Sequence, residues 1–124
     1  MDTPLAIAKA CLQAYVDKDR AAAERLVAED FRFTSPLDNG LDRATYFRRC
    51  WPNSEAVAGF AAIHGCEAGE RAFLIYEAWV EGGKRFRNCE VYTVRAGRLT
   101  SVEVYFGWDL PHKAAVGGFV EQAG

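Results

Sequence analysis

From about residue 57 the chain is a series of alternating segments cut by glycine-containing turns: "VAGFAAIHGC", "RAFLIYEAWV", "KRFRNCEVYTV" and "LTSVEVYF". Connections this tight join antiparallel neighbours, because a parallel crossover needs a dozen residues or more. The second half of the chain is therefore an antiparallel sheet. Upstream, Leu5, Ala8, Cys11, Leu12, Tyr15 and Val16 recur at helical spacing behind Thr3 and Pro4, a cap and a first-turn proline. Asp19 caps a second helix, "RAAAERLVAED", and Asp42 a third, "RATYFRRCW", which stops before Pro52. Between them "FRFTSP" reads as a short strand ended by Pro36, and "LDNG" as a loop. The stretch after Gly107, "WDLPHKAAVGGFVEQAG", reads as a tail folded back over the body. One α+β domain over residues 1–124 follows, with three N-terminal helices on one face of a curved antiparallel sheet and a conical hollow between them.

Length and composition bound the function. A chain of 124 residues, 50% apolar, buries one core and not two. A formal charge of -2, with acidic neighbours diluting the arginines, argues against nucleic acid. There is no apolar run near ~18 residues and no basic-then-apolar leader, so neither a membrane span nor secretion is expected and the cytoplasm is. Cys11, Cys50, Cys66 and Cys89 are scattered without a CxxC, and His64 and His112 add no ligand spacing. They read as reduced thiols and structural histidines, with no metal site.

The direction of two glutamates depends on turn lengths. A two-residue turn Ala96-Gly97 needs positive φ at Ala96, at about 1–2 kcal/mol. A three-residue turn Arg95-Ala96-Gly97 needs it only at Gly97, and pairs Glu90 with Val102. That register puts Glu90 on one face with Tyr92, Val94, Val102, Val104 and Phe106. A two-residue turn at Gly82-Gly83 pairs Trp79 with Phe86 and Glu77 with Asn88. The inward face then carries Phe73, Ile75, Glu77 and Trp79 beside Asn88, Glu90 and Tyr92, with the two carboxylates roughly 6–8 Å apart. Paired carboxylates on an apolar face push at least one pKa upward, toward acid/base work near neutrality. The alternative is that both hydrogen-bond Asn88, a tyrosine or an arginine and only order the core.

The helix order, "FRFTSPL" and above all "FRNCEVYTVRAGRLTSVEVYFGWDLPH" resemble the SnoaL-like branch of the NTF2-like superfamily. That group includes ketosteroid isomerase, polyketide cyclases, limonene epoxide hydrolase and scytalone dehydratase. The likeness spans essentially the whole chain. It implies an NTF2-like, cystatin-like cone, a pocket between sheet and helices, and a homodimer through the outer sheet face, here expected to carry Leu74, Tyr76, Ala78, Val91 and Tyr105. Residue by residue it is mixed. Ser35 stands where ketosteroid isomerase has its base, and Cys11 where it has a tyrosine, with Tyr15 one turn later. Glu90 matches the isomerase's protonated aspartate. Two of three roles lack their residue, so steroid isomerisation is not expected. SnoaL-type cyclases, with an acid/base carboxylate on a central strand at the place of Glu90, are the better likeness. The arginine and two aspartates of limonene epoxide hydrolase are not visible on the inward face.

The expected site therefore has Glu90 as the acid/base group and Glu77 as its catalytic partner. Asn88, Tyr92, Trp79, Tyr15, Ser35, Tyr46, Trp51 and Phe106 contact the ligand, although the aromatic members serve equally as core. The expected function is a cofactor-independent pocket protein for a small apolar carbonyl compound, with isomerase, lyase or cyclase chemistry. The alternative is a non-catalytic ligand-binding or homodimerisation module.

Overall fold

The structure is a computed structural model and describes residues 3–121. Helices α1 (Pro4–Asp17) and α2 (Arg20–Leu26) lead into β1 (Val27–Ser35) and β2 (Asp38–Leu41). Helix α3 (Arg43–Arg49) and a 3-10 turn (Trp51–Glu55) precede β3 (Val57–Ala68), β4 (Arg71–Val80), β5 (Arg85–Arg95) and β6 (Arg98–Leu110). The three caps are as the sequence suggests: Thr3, Asp19 and Asp42 accept hydrogen bonds from the amides of Ala6, Ala22 and Thr45. Only Leu37 of "LDNG" stays in the turn; Asp38–Leu41 form a strand and not a loop, because Leu41 and Asp38 pair back onto Phe33 and Ser35.

The six strands lie in the order β2-β1-β6-β5-β4-β3, antiparallel throughout except for the parallel pair β1 and β6. Register shifts in β3 and in the β5–β6 pair bend the sheet around its helices. Helix α1 lies over β3, β4 and β5, and α3 over β1. Ile7, Ala8, Cys11 and Ala14 of α1 meet Leu74, Tyr92, Val94, Leu99 and Val102 of the sheet in one core. Each such large apolar side chain contributes about 1.5–3 kcal/mol by leaving water.

Both turn lengths differ from the sequence expectation, with opposite consequences. Arg95 pairs with Arg98, so the β5–β6 loop is the two residues Ala96-Gly97, at φ 53° and 78°. The strain at Ala96 is accepted because the mirror-image turn follows the right-handed twist of the strands. A register shift follows at once: Val94 pairs with Leu99 but Thr93 with Ser101, leaving Thr100 unpaired. The shift restores the face pattern, so Glu90 points inward as expected, opposite Val104 and not Val102.

The β4–β5 turn has three residues, Glu81-Gly82-Gly83, closed by the Val80 amide on the Lys84 carbonyl at 3.0 Å. Trp79 now pairs with Arg85, Glu77 with Arg87 and Tyr76 with Asn88. One residue of shift turns β4 over. Ala72, Leu74, Tyr76 and Ala78 are buried on the helix side, and not on the outer face where a two-residue turn would have put Leu74, Tyr76 and Ala78. Glu77 and Trp79 are outside, contrary to the expected inward placement. The alternative register would bury a second carboxyl beside Glu90 without a counter-ion, which is strongly unfavourable. Glu77 instead accepts from Arg85 Nη1 at 2.9 Å and from Arg87 at 3.4 Å. The Arg85 guanidinium also stacks 4.9 Å from the centre of the Trp79 indole. That indole lies across Gly59, where a Cβ would sit 2.5 Å from the ring.

Candidate functional site

Between the bent sheet and α1, α3 and the 3-10 turn lies a cavity of about 270 Å³ with predominantly apolar walls. Glu90 of β5 reaches into it and is buried, at 8% exposure. Its two oxygens are held separately. Tyr92 donates to Oε1 at 2.7 Å, and Tyr76 of β4 donates to Oε2. Asn88 donates from Nδ2 to the Tyr76 hydroxyl at 3.4 Å, while its Oδ1 accepts from the Gly107 amide at 3.2 Å. Burial pushes the Glu90 carboxyl up, and the two tyrosine hydroxyls offset that only in part. Glu90 thus keeps its proton to higher pH than an ordinary glutamic acid.

A second pair of groups sits at the mouth, where β1 turns into β2. The Asp38 side chain is only 9% exposed, lines the cavity, and accepts from Ser35 Oγ at 2.8 Å and from Arg49 Nε of α3. Lost hydration pushes its carboxyl up, but the bonds from Arg49 and Ser35 outweigh this and hold it below the usual carboxylate range. The exposed rings and chains of Phe106 and Leu37, 54% and 72% accessible, rim the opening.

Tyr15 of α1 and Tyr46 of α3 line the wall and join hydroxyl to hydroxyl at 2.6 Å. Burial pushes both phenols up, so both stay protonated. Cys11 is also on the wall. Burial and the neighbouring Glu90 charge push its thiol up to about 12, which rules out a thiolate nucleophile at neutral pH.

Of the residues expected in the site, Glu90, Asn88, Tyr92, Tyr15, Ser35, Tyr46 and Phe106 line one cavity. Trp51 stands behind Tyr15, ring to ring at 4.9 Å, and does not reach the cavity surface. Glu77 and Trp79 are on the opposite face of the sheet. Tyr76, which the two-glycine turn placed outside, is the residue the sequence reading missed. The signal was present in the alternation Ala72, Leu74, Tyr76, Ala78, which is the more uniformly buriable side of β4. Among the described residues no group of three or more His, Cys, Asp or Glu is arranged to hold a metal ion. No helix there is long and apolar enough to cross a membrane.

The three N-terminal helices and the bent six-stranded sheet have counterparts among solved structures. An NTF2-like protein of unknown function from Cytophaga hutchinsonii superposes with TM-score 0.68 over 85% of this chain and 90% of its own, at 22% identity. The chain has the NTF2-like fold. A protein of Kribbella flavida superposes with TM-score 0.75 and 26% identity over 86% of this chain and 88% of that one. An LEH-like epoxide hydrolase of M. tuberculosis matches at TM-score 0.67 and 15% identity, covering 82% and 80%. No family model matches the sequence, and neither does any curated protein.

Proposed function

We propose that this NTF2-like chain is an acid/base pocket protein that enolises a small apolar carbonyl compound. The observation that carries this reading is the Glu90 carboxyl at the floor of an apolar cavity, with tyrosine hydroxyls occupying one lone pair on each oxygen. A carboxylic acid so held has its own proton left for the cavity, where it can be donated to a carbonyl oxygen. Asp38, held ionised at the mouth, is the group able to accept a proton from carbon. Two carboxyls of one cavity driven in opposite directions is the arrangement from which acid and base roles are assigned. The cavity volume, just below the usual range of roughly 300–1,000 Å³ for small-molecule sites, suits a compound of one or two rings. One structural neighbour, from M. tuberculosis, is an LEH-like epoxide hydrolase, and fold alone selects no reaction.

The test is deuterium exchange at the α-carbon of 2-acetylnaphthalene in D₂O, followed by proton NMR. The wild-type protein should accelerate exchange by about 10²–10⁴-fold, the usual range for general acid–base catalysis, and Glu90→Gln should abolish the acceleration. Binding without acceleration would leave the cavity as a carrier site and remove the enzyme reading. Failure of the ketone to bind would remove both.

We also propose that the outer sheet face meets a second copy of this chain. Ile75 and Tyr105, 36% and 54% exposed, stand there with half-buried Phe73 and Val91, on the side that none of the described helices covers.

A further inference from the structure

We propose that Asn88, held by the Gly107 amide, is a positioning residue that fixes the direction of the Tyr76 proton and so keeps the proton of Glu90 free for the cavity. This rests on the acid/base reading of Glu90 and adds to it the part that decides where the acid proton goes. The chain of hydrogen bonds begins at a backbone group. Asn88 pairs with Phe106 and Phe86 with Asp109, so Gly107 and Trp108 bulge opposite the single residue Arg87. The strands approach so closely there that a Cβ at Gly107 would lie 2.2 Å from the Arg87 carbonyl oxygen. The bulge directs the Gly107 amide onto the Asn88 side chain, at 3.2 Å.

A backbone N–H can only donate, so the Asn88 atom it meets is the oxygen, and the nitrogen faces the Tyr76 hydroxyl at 3.4 Å. That nitrogen can only donate as well. Among the described residues the hydroxyl meets one other group, Glu90 Oε2, and its proton is therefore committed there. Gly107, Asn88, Tyr76 and Glu90 thus form a chain in which every bond points the same way, and such bonds strengthen one another. With the Asn88 amide turned over, its oxygen would draw the Tyr76 proton away. The emptied hydroxyl oxygen would then accept the proton of Glu90, and the acid would have nothing to give a ligand. The other titratable groups near Glu90 are Cys11, Tyr15, Tyr46, Tyr76, Cys89 and Tyr92. Burial pushes all of them up, so none is charged near neutrality.

Asn88→Asp tests this, because a carboxylate has the size of the amide, keeps the bond from Gly107 and presents an acceptor to Tyr76. Carbon-detected NMR should show the Glu90 titration midpoint moved upward by about one pH unit or more in N88D, the worth of a lost hydrogen bond to a charged group. On a Y76F background the same substitution should move it by at least about half a pH unit less, since only the new charge then acts. Deuterium exchange of 2-acetylnaphthalene should meanwhile fall about tenfold or more in N88D, although more of the protein then carries the acid. A higher midpoint with a lower rate is the signature of a proton held inside the protein. Equal midpoint changes on the two backgrounds, or exchange in N88D as fast as in the wild type, would overturn the proposal. The wild type supplies a check that needs no variant to fold: its Gly107 amide should exchange with D₂O at least about tenfold more slowly than an unbonded amide. An unprotected rate there breaks the chain at its first link. If the wild type does not accelerate exchange of the ketone, the acid/base reading falls alone, and the midpoint comparison still decides the direction of the Tyr76 proton.

Discussion

Among the described residues Glu90 has no cation for a partner, and its carboxyl is met by two neutral hydroxyls. Its folded-state pKa lies above its unfolded value of 4.5, so between the two the folded protein holds a proton that the unfolded chain has lost. Stability from Glu90 is therefore complete below about pH 4.5, declines as pH rises through the folded pKa, and is flat above it. Glu90→Gln removes this dependence, so the variant should gain on the wild type as pH is raised from 4.5 to 8. Urea unfolding across that range measures it, and a constant difference between the two proteins would show that Glu90 titrates normally. Tyr76→Phe should destabilise by about 1–3 kcal/mol, since it strips a donor from a buried carboxyl and an acceptor from Asn88. The inward direction of Glu90 was legible from alternation, although the expected three-residue turn was wrong. The unpaired Thr100 supplied the residue of offset that the shorter turn removed. Nothing in the local sequence announces that compensation, because it is decided by which of Leu99 and Thr100 is buried in the core.

At the level of strands and turns, two loops of similar composition behave differently. Gly82-Gly83 accepts positive φ at both residues without strain, yet the turn recruits Glu81 because burying Leu74 and Tyr76 outweighs shortening the loop. Turn chemistry therefore described what the loop tolerates, while packing chose its length. Glu77→Gln should accordingly cost about 1 kcal/mol, since its arginine partners reach into solvent although Glu77 itself is mostly covered, and leave ketone binding unchanged. A loss of binding comparable to that of Glu90→Gln would place Glu77 back in the site. Ala96 is the strained position of the other turn, at φ 53°. Ala96→Asn should raise stability by about 1 kcal/mol, read from thermal or urea unfolding, since asparagine tolerates the left-handed region. The strand β2 was not legible because "LDNG" has no strand propensity, and it exists only through its pairing with β1.

For the whole molecule, the acid side of the pH profile is set by groups opposite in sense to Glu90. Asp38 and Asp42 have lowered pKa values, so their contributions are present above the unfolded pKa and lost as pH falls through the folded ones. Together with Glu90 they predict a stability maximum on the mildly acidic side of neutrality. The outer face gives a separate expectation: sedimentation velocity at micromolar concentration should report about twice the 13.8 kDa chain mass, and Ile75→Glu should halve it. A wild-type monomer at high concentration would discard the self-association proposal.

The parallel seam between β1 and β6 has a consequence for the chain as it is being made. Strand β6 leaves the ribosome after the other five strands of its sheet, yet it lies between β1 and β5 and carries Val102 and Val104 of the cavity wall. The helices and β1–β2 hairpin must wait for it with their apolar faces uncovered. Closing so many contacts between distant parts of the sequence makes folding slow for a chain of this size. A nascent chain halted after β5 would have Glu90 and both of its tyrosine partners, but no enclosed cavity around them. The closed cavity thus arrives all at once, with the sixth strand, and the ligand capture proposed for it with the same step.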